Sequence, residues 1–217
     1  MNKVIIVGGG AAGMLASIIS AKNGCAVTLF EKNEKLGKKV YITGKGRCNV
    51  TNNCDPEELL QAVMSNQKFL YSAFYSFTSQ DMMQLLEDAG VSLKTERGNR
   101  VFPVSDHSSD IIHGLEQLMK KYSVQIHLRS EVKNLLTENG IVTGIQLTDN
   151  KVYTADAVIV ATGGLSYPTT GSTGDGYRFA VETGHTVTEC MPSLVPLTTK
   201  EAYIPLMKGL SLRNVEL

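Results

Sequence analysis

The sequence predicts an α/β fold: a parallel sheet in a three-layer arrangement, with a β-meander crossover and a helical subregion over about 56–90. Three observations carry that reading. An apolar run, Val4-Ile5-Ile6-Val7, leads straight into Gly8-Gly9-Gly10-Ala11-Ala12-Gly13 and then into a stretch rich in Ala, Ile and Leu. A second β-rich run, 26–30, follows at once and ends on Glu31. Much later, 156–161 is another apolar strand that stops at Thr162-Gly163-Gly164.

Each element follows from its residues. Segment 4–7 has the continuous apolar pattern of a strand covered on both faces. Segment 14–23 reads as a helix, and Gly24 stops it. A polar loop, 32–39, passes through Val40-Tyr41-Ile42 into a segment of small and hydrogen-bonding residues from Thr43 to Cys54. That segment suits neither a regular helix nor a core strand, and a ligand lying along its backbone would organise it. Segment 56–66 is a helix with Pro56 near its start and Glu57-Glu58 in its first turn. Segment 68–77 carries Phe69, Tyr71, Phe74, Tyr75 and Phe77 at helical spacing, a stripe expected to pack in the core or against another helix.

Thr78 or Ser79 caps the next helix, which ends at Ala89-Gly90. Segments 91–96 and 100–102 form a hairpin about Arg97-Gly98-Asn99. Ser108 or Ser109 caps a helix to about Tyr122, with Ile111, Ile112, Leu115, Leu118 and Met119 on one side. Segment 124–128 is a buried strand. Segments 133–136, 141–147 and 152–154 form an antiparallel meander, turning at Asn139-Gly140 and Asp149-Asn150. A last helix, 177–183, ends at Gly184. The chain leaves through Pro192 and Pro196, and 210–217 alternates like a strand cut off in mid-pattern.

Composition narrows the function classes. The 217 residues are 42% hydrophobic and 19% charged, enough apolar content for a core. Lys plus Arg equals Asp plus Glu at 21 each, so no basic surface for nucleic acid or for an acidic membrane is expected. The first strand starts within three residues, which leaves no room for a signal peptide. No apolar run approaches the ~20 residues that span a bilayer. A soluble cytoplasmic protein is expected. Four cysteines in this length do not form a disulfide framework, and His107, His113, His127 and His185 are scattered without ligand spacing, so no metal site is expected. Cys25 and Cys190 read as small core residues.

The first corner points to dinucleotide binding. Gly8 permits the tight turn out of the strand, Gly10 lets a diphosphate approach the backbone, and Gly13 lets the helix pack closely on the strand. The helix N-terminus offers free N–H groups and a positive dipole end. Glu31 follows Gly13 by 18 residues, at the end of the second strand, where a carboxylate accepts hydrogen bonds from a ribose. A carboxylate there also repels a 2′-phosphate. NAD and FAD sites share this pattern. The Gly174-Asp175-Gly176 turn puts an acid and free N–H groups at a helix start, suited to ribitol hydroxyls or phosphate, or simply to capping.

Several segments together resemble a known family. The glycine corner with Glu31, the Thr43-Gly44-Lys45-Gly46-Arg47-Cys48-Asn49-Val50-Thr51-Asn52 loop, Arg100-Val101-Phe102-Pro103, and Ala161-Thr162-Gly163-Gly164 through Gly174-Asp175-Gly176 resemble the BaiN-like NAD(P)/FAD-dependent oxidoreductases. These are Rossmann-like flavoproteins with two dinucleotide folds. The Gly46-Arg47-Cys48-Asn49-Val50-Thr51-Asn52 string is the most specific marker. The resemblance implies non-covalent FAD, with NADH or NADPH as a possible electron donor and a small-molecule substrate. It implies that Gly8, Gly10, Ala11, Ala12 and Gly13 hold the pyrophosphate, Glu31 and Lys32 the adenosine ribose region, and Val132 the adenine through its backbone. Lys39, Gly46, Arg47, Cys48, Asn49 and Thr51 would lie near the ribitol and isoalloxazine, with Ala161, Thr162, Gly163 and Asp175 beside the cofactor. It also implies a further domain's length of chain, so that 1–190 is the FAD-binding domain and 191–217 the start of a truncated β-rich domain.

Arg47 and Cys48 are the candidate catalytic residues; Arg47 could stabilise a reduced flavin or an anionic substrate. Two other readings stay open. Disulfide reductases of this fold carry a C-x4-C pair shortly after the ribose acid, and Cys48 and Cys54 stand at C-x5-C. The chain could also be a dinucleotide-binding module without catalysis.

Overall fold

Strand β1 (Lys3–Val7) presents two apolar faces, and each meets a different layer. The computed structural model describes residues 1–192, 194 and 198–210. In it β1, helix α1 (Ala11–Lys22) and strand β2 (Ala26–Phe30) form a β-α-β unit, with Lys3 beside Ala26 and Val7 beside Phe30. A one-turn helix α2 (Lys38–Ile42) and a two-residue strand β3 (Thr51–Asn52) follow. Three short helices come next, α3 (Pro56–Gln61), α4 (Gln67–Ser76) and α5 (Ser79–Asp88), and then the hairpin β4 (Leu93–Glu96) and β5 (Arg100–Pro103). Helix α6 (Ser108–Lys121) returns the chain to β6 (Gln125–His127). The meander β7 (Val132–Glu138), β8 (Ile141–Leu147) and β9 (Val152–Thr154) crosses to β10 (Ala157–Val160), and α7 (Asp175–Glu182) follows.

The main sheet is parallel throughout, in the order β10-β1-β2-β6. Side chains alternate across a strand, so Val4 and Ile6 face one way and Ile5 and Val7 the other. Val4 and Ile6 pack with Met14 and Ile18 of α1 and with Ile111, Leu115 and Met119 of α6. Ile5 and Val7 pack with Val132, Ile145 and Leu147 of the meander and with Phe179 of α7. Helices, parallel sheet and meander therefore make the three layers expected. A second small sheet, β3-β5-β4, joins the 43–54 loop to the hairpin. No helix among the described residues is long and apolar enough to cross a membrane.

The structure corrects several expectations. Val40-Tyr41-Ile42 belongs to a helical turn rather than to the loop. The 56–66 helix stops at Gln61, and α4 starts after Asn66 in the left-handed region. No residue of α4 is buried, and Phe69 is 84% exposed, so the aromatic stripe is not core among the described residues; α4 packs against α3, as the stripe also allowed, and the Tyr71 and Tyr75 rings meet at a tilt with centroids 4.5 Å apart. Neither serine caps α6, whose N-cap is His107, and the Ser108 hydroxyl donates to the Tyr41 carbonyl at 2.8 Å. Strand β6 is a half-exposed sheet edge, so 124–128 is not a buried strand. Cys25 does pack against the core, but Cys190 is exposed.

Contacts divide the chain into Met1–Thr186 and Val187–Leu217. Every element above lies in the first unit. In the second, the described residues carry a 3-10 turn at Ile204–Met207 and no strand. The strand expected over 210–217 falls, apart from Leu210, outside the described residues.

Helix α5 owes its start to a reciprocal box. The Thr78 hydroxyl accepts from Asp81 N at 3.1 Å, and the Asp81 carboxylate accepts from Thr78 N at 2.7 Å. Thr78→Ala should lower stability by about 1 kcal/mol, and Thr78→Ser should retain most of it. Phe69→Ser, on the exposed stripe, should change it by less than about 0.5 kcal/mol. Denaturant unfolding measures all three.

Candidate functional site

Three backbone segments meet at the end of β1 with no side chain between them. Gly8 sits at φ +106°, and its N–H donates to Phe30 O at 2.8 Å. A Cβ on Gly8 would stand 2.5 Å from Ala161 O, and one on Gly13 would stand 1.8 Å from Gly8 O. Only glycine at both positions lets α1 and the end of β10 close on the β1 turn. Gly10 differs: a Cβ there would meet no protein atom within 4 Å. Its open side faces a cleft of about 330 Å³, within the range of small-ligand sites.

No side chain caps α1, and its first turn carries no acid. Its positive end and the backbone of Gly10, Ala11 and Ala12 therefore border the cleft without an internal counter-charge at the helix terminus. Glu31, only 7% exposed, closes the opposite wall. Its Oε2 accepts from Gly9 N at 2.6 Å, and its Oε1 accepts from Asn33 N at 2.7 Å and Asn33 Nδ2 at 2.6 Å. Three N–H groups thus compensate a buried charge that would otherwise cost several kcal/mol.

Two lysines link the 32–39 segment to the turn before α7. Lys32 Nζ donates to Thr173 Oγ1 at 2.6 Å and to Asp175 Oδ2 at 2.7 Å. Lys39 Nζ donates to Ser166 O and to Ser172 Oγ, both at 2.6 Å. Burial pushes the Asp175 carboxyl up, but the Lys32 and Thr173 hydrogen bonds outweigh it and hold the group below its ordinary value. Thr162 Oγ1 is buried with no hydrogen-bond partner among the described residues. The lining also has an apolar part: Val7, Phe30, Val132 and Phe179.

Most of the residues singled out from the sequence line this cleft: Gly8, Gly10, Ala11, Ala12, Glu31, Lys32, Lys39, Val132, Ala161, Thr162, Gly163 and Asp175. Gly13 serves the packing beneath it. Gly46, Arg47, Cys48, Asn49 and Thr51 are not in the lining; from their loop Thr43 is. Arg47 pairs with Glu96 and, at 2.8 Å, with Asp106, and lies 4.1 Å from the Phe102 ring centroid. Those hydrogen bonds, Glu96 first, push its pKa up, and the Lys94 bond, then the Arg47 bond, hold Asp106 down. Cys48 is buried at φ +59°, and burial raises its thiol pKa against a smaller opposing bond from Thr43. The Asn49 amide, oriented to satisfy it, donates to Thr51 O and Val101 O, and Thr51 Oγ1 donates to Ser79 Oγ. Arg47, Cys48, Asn49 and Thr51 thus tie the loop to its own small sheet and its neighbours.

The sequence reasoning missed Gly9, Asn33, Lys38, Ser172 and Phe179. A Cβ on Gly9 would stand 2.3 Å from Leu36 Cδ2, and its signal in the sequence is the unusual triple glycine. Asn33 lies two residues past Glu31 in a polar loop and carries no signal of its own. Among the described residues no group of three His, Cys, Asp or Glu could hold a metal ion.

A parallel sheet with a glycine corner at β1-α1 and a meander crossover defines a Rossmann-type nucleotide-binding domain. The chain belongs to the family described as HI0933-like protein Rossmann domain, whose model matches residues 2–215. The resemblance read from the motifs therefore holds. It is 32% identical over 204 residues to a 3-dehydro-bile acid delta(4,6)-reductase of Clostridium scindens, covering 93% of this chain and 48% of that protein. It is also 32% identical over 213 residues to a ribosomal RNA dihydrouridine synthase of Haemophilus influenzae, covering 96% and 52%. Among solved structures it resembles the open conformation of a flavocytochrome c3 fumarate reductase, with TM-score 0.65 and 25% identity over 84% of this chain and 40% of that one. The chain spans about half the length of the curated relatives it matches.

Two outcomes follow from this geometry. Gly8→Ala and Gly13→Ala should each destabilise the fold by about 3 kcal/mol or more, from backbone overlap and, at Gly8, from positive φ. Gly10→Ala should cost under about 1 kcal/mol, because its Cβ would enter open space; thermal unfolding separates the three. Asp175 contributes stability that is present above its unfolded pKa, about 3.9, and lost as pH falls through its lower folded value. In Lys32→Met the carboxyl stays buried and loses its main hydrogen bond, so the Asp175 pKa measured by carboxyl NMR should move up.

Proposed function

We propose that this chain is the FAD-binding part of a cytoplasmic FAD-dependent oxidoreductase that passes hydride between NADH or NADPH and a small organic substrate. In this reading 1–190 is the FAD-binding domain and 191–217 begins a second domain. The observation that carries it is the cleft at the first β-α corner. Uncapped amides of α1 and a buried carboxylate with acceptor capacity left border it.

These residues fit the cofactor. The flavin supplies the two-electron chemistry when bound; the protein supplies position and electrostatics. The α1 amides and dipole would neutralise the diphosphate. Glu31 would accept a ribose hydroxyl and repel a 2′-phosphate. Val7, Phe30, Val132 and Phe179 would enclose the adenine and keep water from it. Lys39, Thr162 and Asp175 offer donors and an acceptor further along the cleft. Arg47 and Cys48 remain the catalytic candidates of the adjoining loop, and Arg47 already has two carboxylates against it.

A second reading takes ribosomal RNA as the substrate of the same flavin chemistry. The 32% identity to the Haemophilus influenzae dihydrouridine synthase favours it, as does 33% identity to its Escherichia coli namesake. The zero formal charge of the chain favours the small molecule, because phosphate backbones are bound by excess Lys and Arg. The dithiol reading is disfavoured by thiol chemistry. Burial raises the Cys48 pKa, and burial with the Glu58 and Asp55 charges raises that of Cys54, whereas a redox pair needs an accessible thiolate.

The full-length polypeptide should purify yellow, release FAD on denaturation, and bleach anaerobically with NADH or NADPH. Glu31→Ala should weaken FAD binding by about tenfold or more. A colourless protein that takes up no flavin overturns the proposal. Oxidation of the reduced enzyme by enone substrates or by unmodified ribosomal RNA separates the two substrate classes.

A further inference from the structure

The Glu31 carboxylate is held asymmetrically, and the asymmetry comes from one residue. A carboxylate oxygen has about two acceptor sites. Both sites of Oε1 are taken by Asn33, through its N and its Nδ2. Among the described residues Oε2 accepts from Gly9 N alone, which leaves it a site. The Asn33 amide has one sensible orientation: Oδ1 accepts from Lys38 Nζ at 3.2 Å, while Nδ2 donates to Glu31 and to Thr170 O, the latter at 3.2 Å. Its backbone is pinned as well, since Arg129 N donates to Asn33 O and Ser130 N donates to Glu31 O, both at 2.9 Å.

A separate feature shows that the turn opposite is built around this amide. Gly171 sits at φ +99°, and a Cβ there would stand 2.5 Å from Asn33 Nδ2. Asn33 therefore joins two walls of the cleft, the ribose-binding acid and the 168–171 turn.

We propose that Asn33 is the positioning residue of the ribose subsite: it saturates Glu31 Oε1, leaves Oε2 to accept a hydroxyl, and anchors the 168–171 turn beside it. The one site left on Oε2 then favours an adenosine diphosphate moiety that presents a ribose hydroxyl to it. This rests on the dinucleotide reading above and adds the residue that makes its acid selective. Aspartate cannot substitute, because it would set a carboxylate against a carboxylate where the amide now donates.

The test compares ADP with 2′,3′-dideoxy-ADP by calorimetry on the full chain. Wild type should bind ADP at least tenfold tighter than the dideoxy analogue. Asn33→Ala should lose about tenfold for ADP and under threefold for the analogue, so the preference collapses; Asn33→Asp should lose more. Lys38→Met, which removes the partner of Oδ1, should shift the preference the same way by less and serves if Asn33→Ala does not fold. Equal losses for both ligands would mean a merely structural role and overturn the proposal, as would an unchanged preference in Asn33→Ala or, should that variant not fold, in Lys38→Met. Wild type that binds neither ADP nor FAD would instead overturn the dinucleotide reading itself, and this inference with it.

Discussion

The structure depends on a contact from which side chains are excluded. Gly8, Gly13 and the Ala161 carbonyl approach one another more closely than any Cβ allows. That approach sets the distance between α1 and β1 and brings the end of β10 against the same turn. The helix N-terminus consequently opens into the cleft instead of against a neighbouring wall. Everything chemically useful in the cleft is placed relative to that corner: the amides of α1 on one side, Glu31 across from them through Gly9 N, and Thr162 just past the contact.

Charge in the unit that holds this cleft is handled in two ways. The buried Glu31 is compensated by N–H groups alone, which leaves part of its acceptor capacity for a ligand. The more exposed charges are paired: Lys32 with Asp175 beside the cleft, and Arg47 and Lys94 with Glu96 and Asp106 on the small sheet. Surface pairs of this kind contribute little to stability. Their value lies in geometry, since they fix the 43–54 loop to the hairpin and the 170s turn to β2's end.

The motif that most specifically marks the family thus has a structural role that can be seen directly. The Gly46-to-Asn52 string has left-handed residues at Gly46 and Cys48, continuing a turn already left-handed at Gly44 and Lys45, and ends in a strand that pairs with β5. The family model matches residues 2–215, and the chain spans about half the length of the curated relatives it matches.

The sequence by itself determined the layer plan. Continuous apolar runs, a glycine corner and two Asx-containing meander turns are local signals, and each produced the expected element. Most of the residues it marked line the cleft, because such a corner needs particular glycines at particular spacings. Only the tertiary structure decided the rest. The aromatic stripe of α4 has helical spacing whether or not anything covers it, so periodicity could not show that Phe69 is bare. Helix α6 begins at Ser108 with His107 at its N-cap, and the Ser108 hydroxyl donates instead to Tyr41 O, 67 positions away. Asn33 acquires its place only when β2, the 128–130 turn and Gly171 are brought together, and no reading of neighbours along the chain contains that meeting.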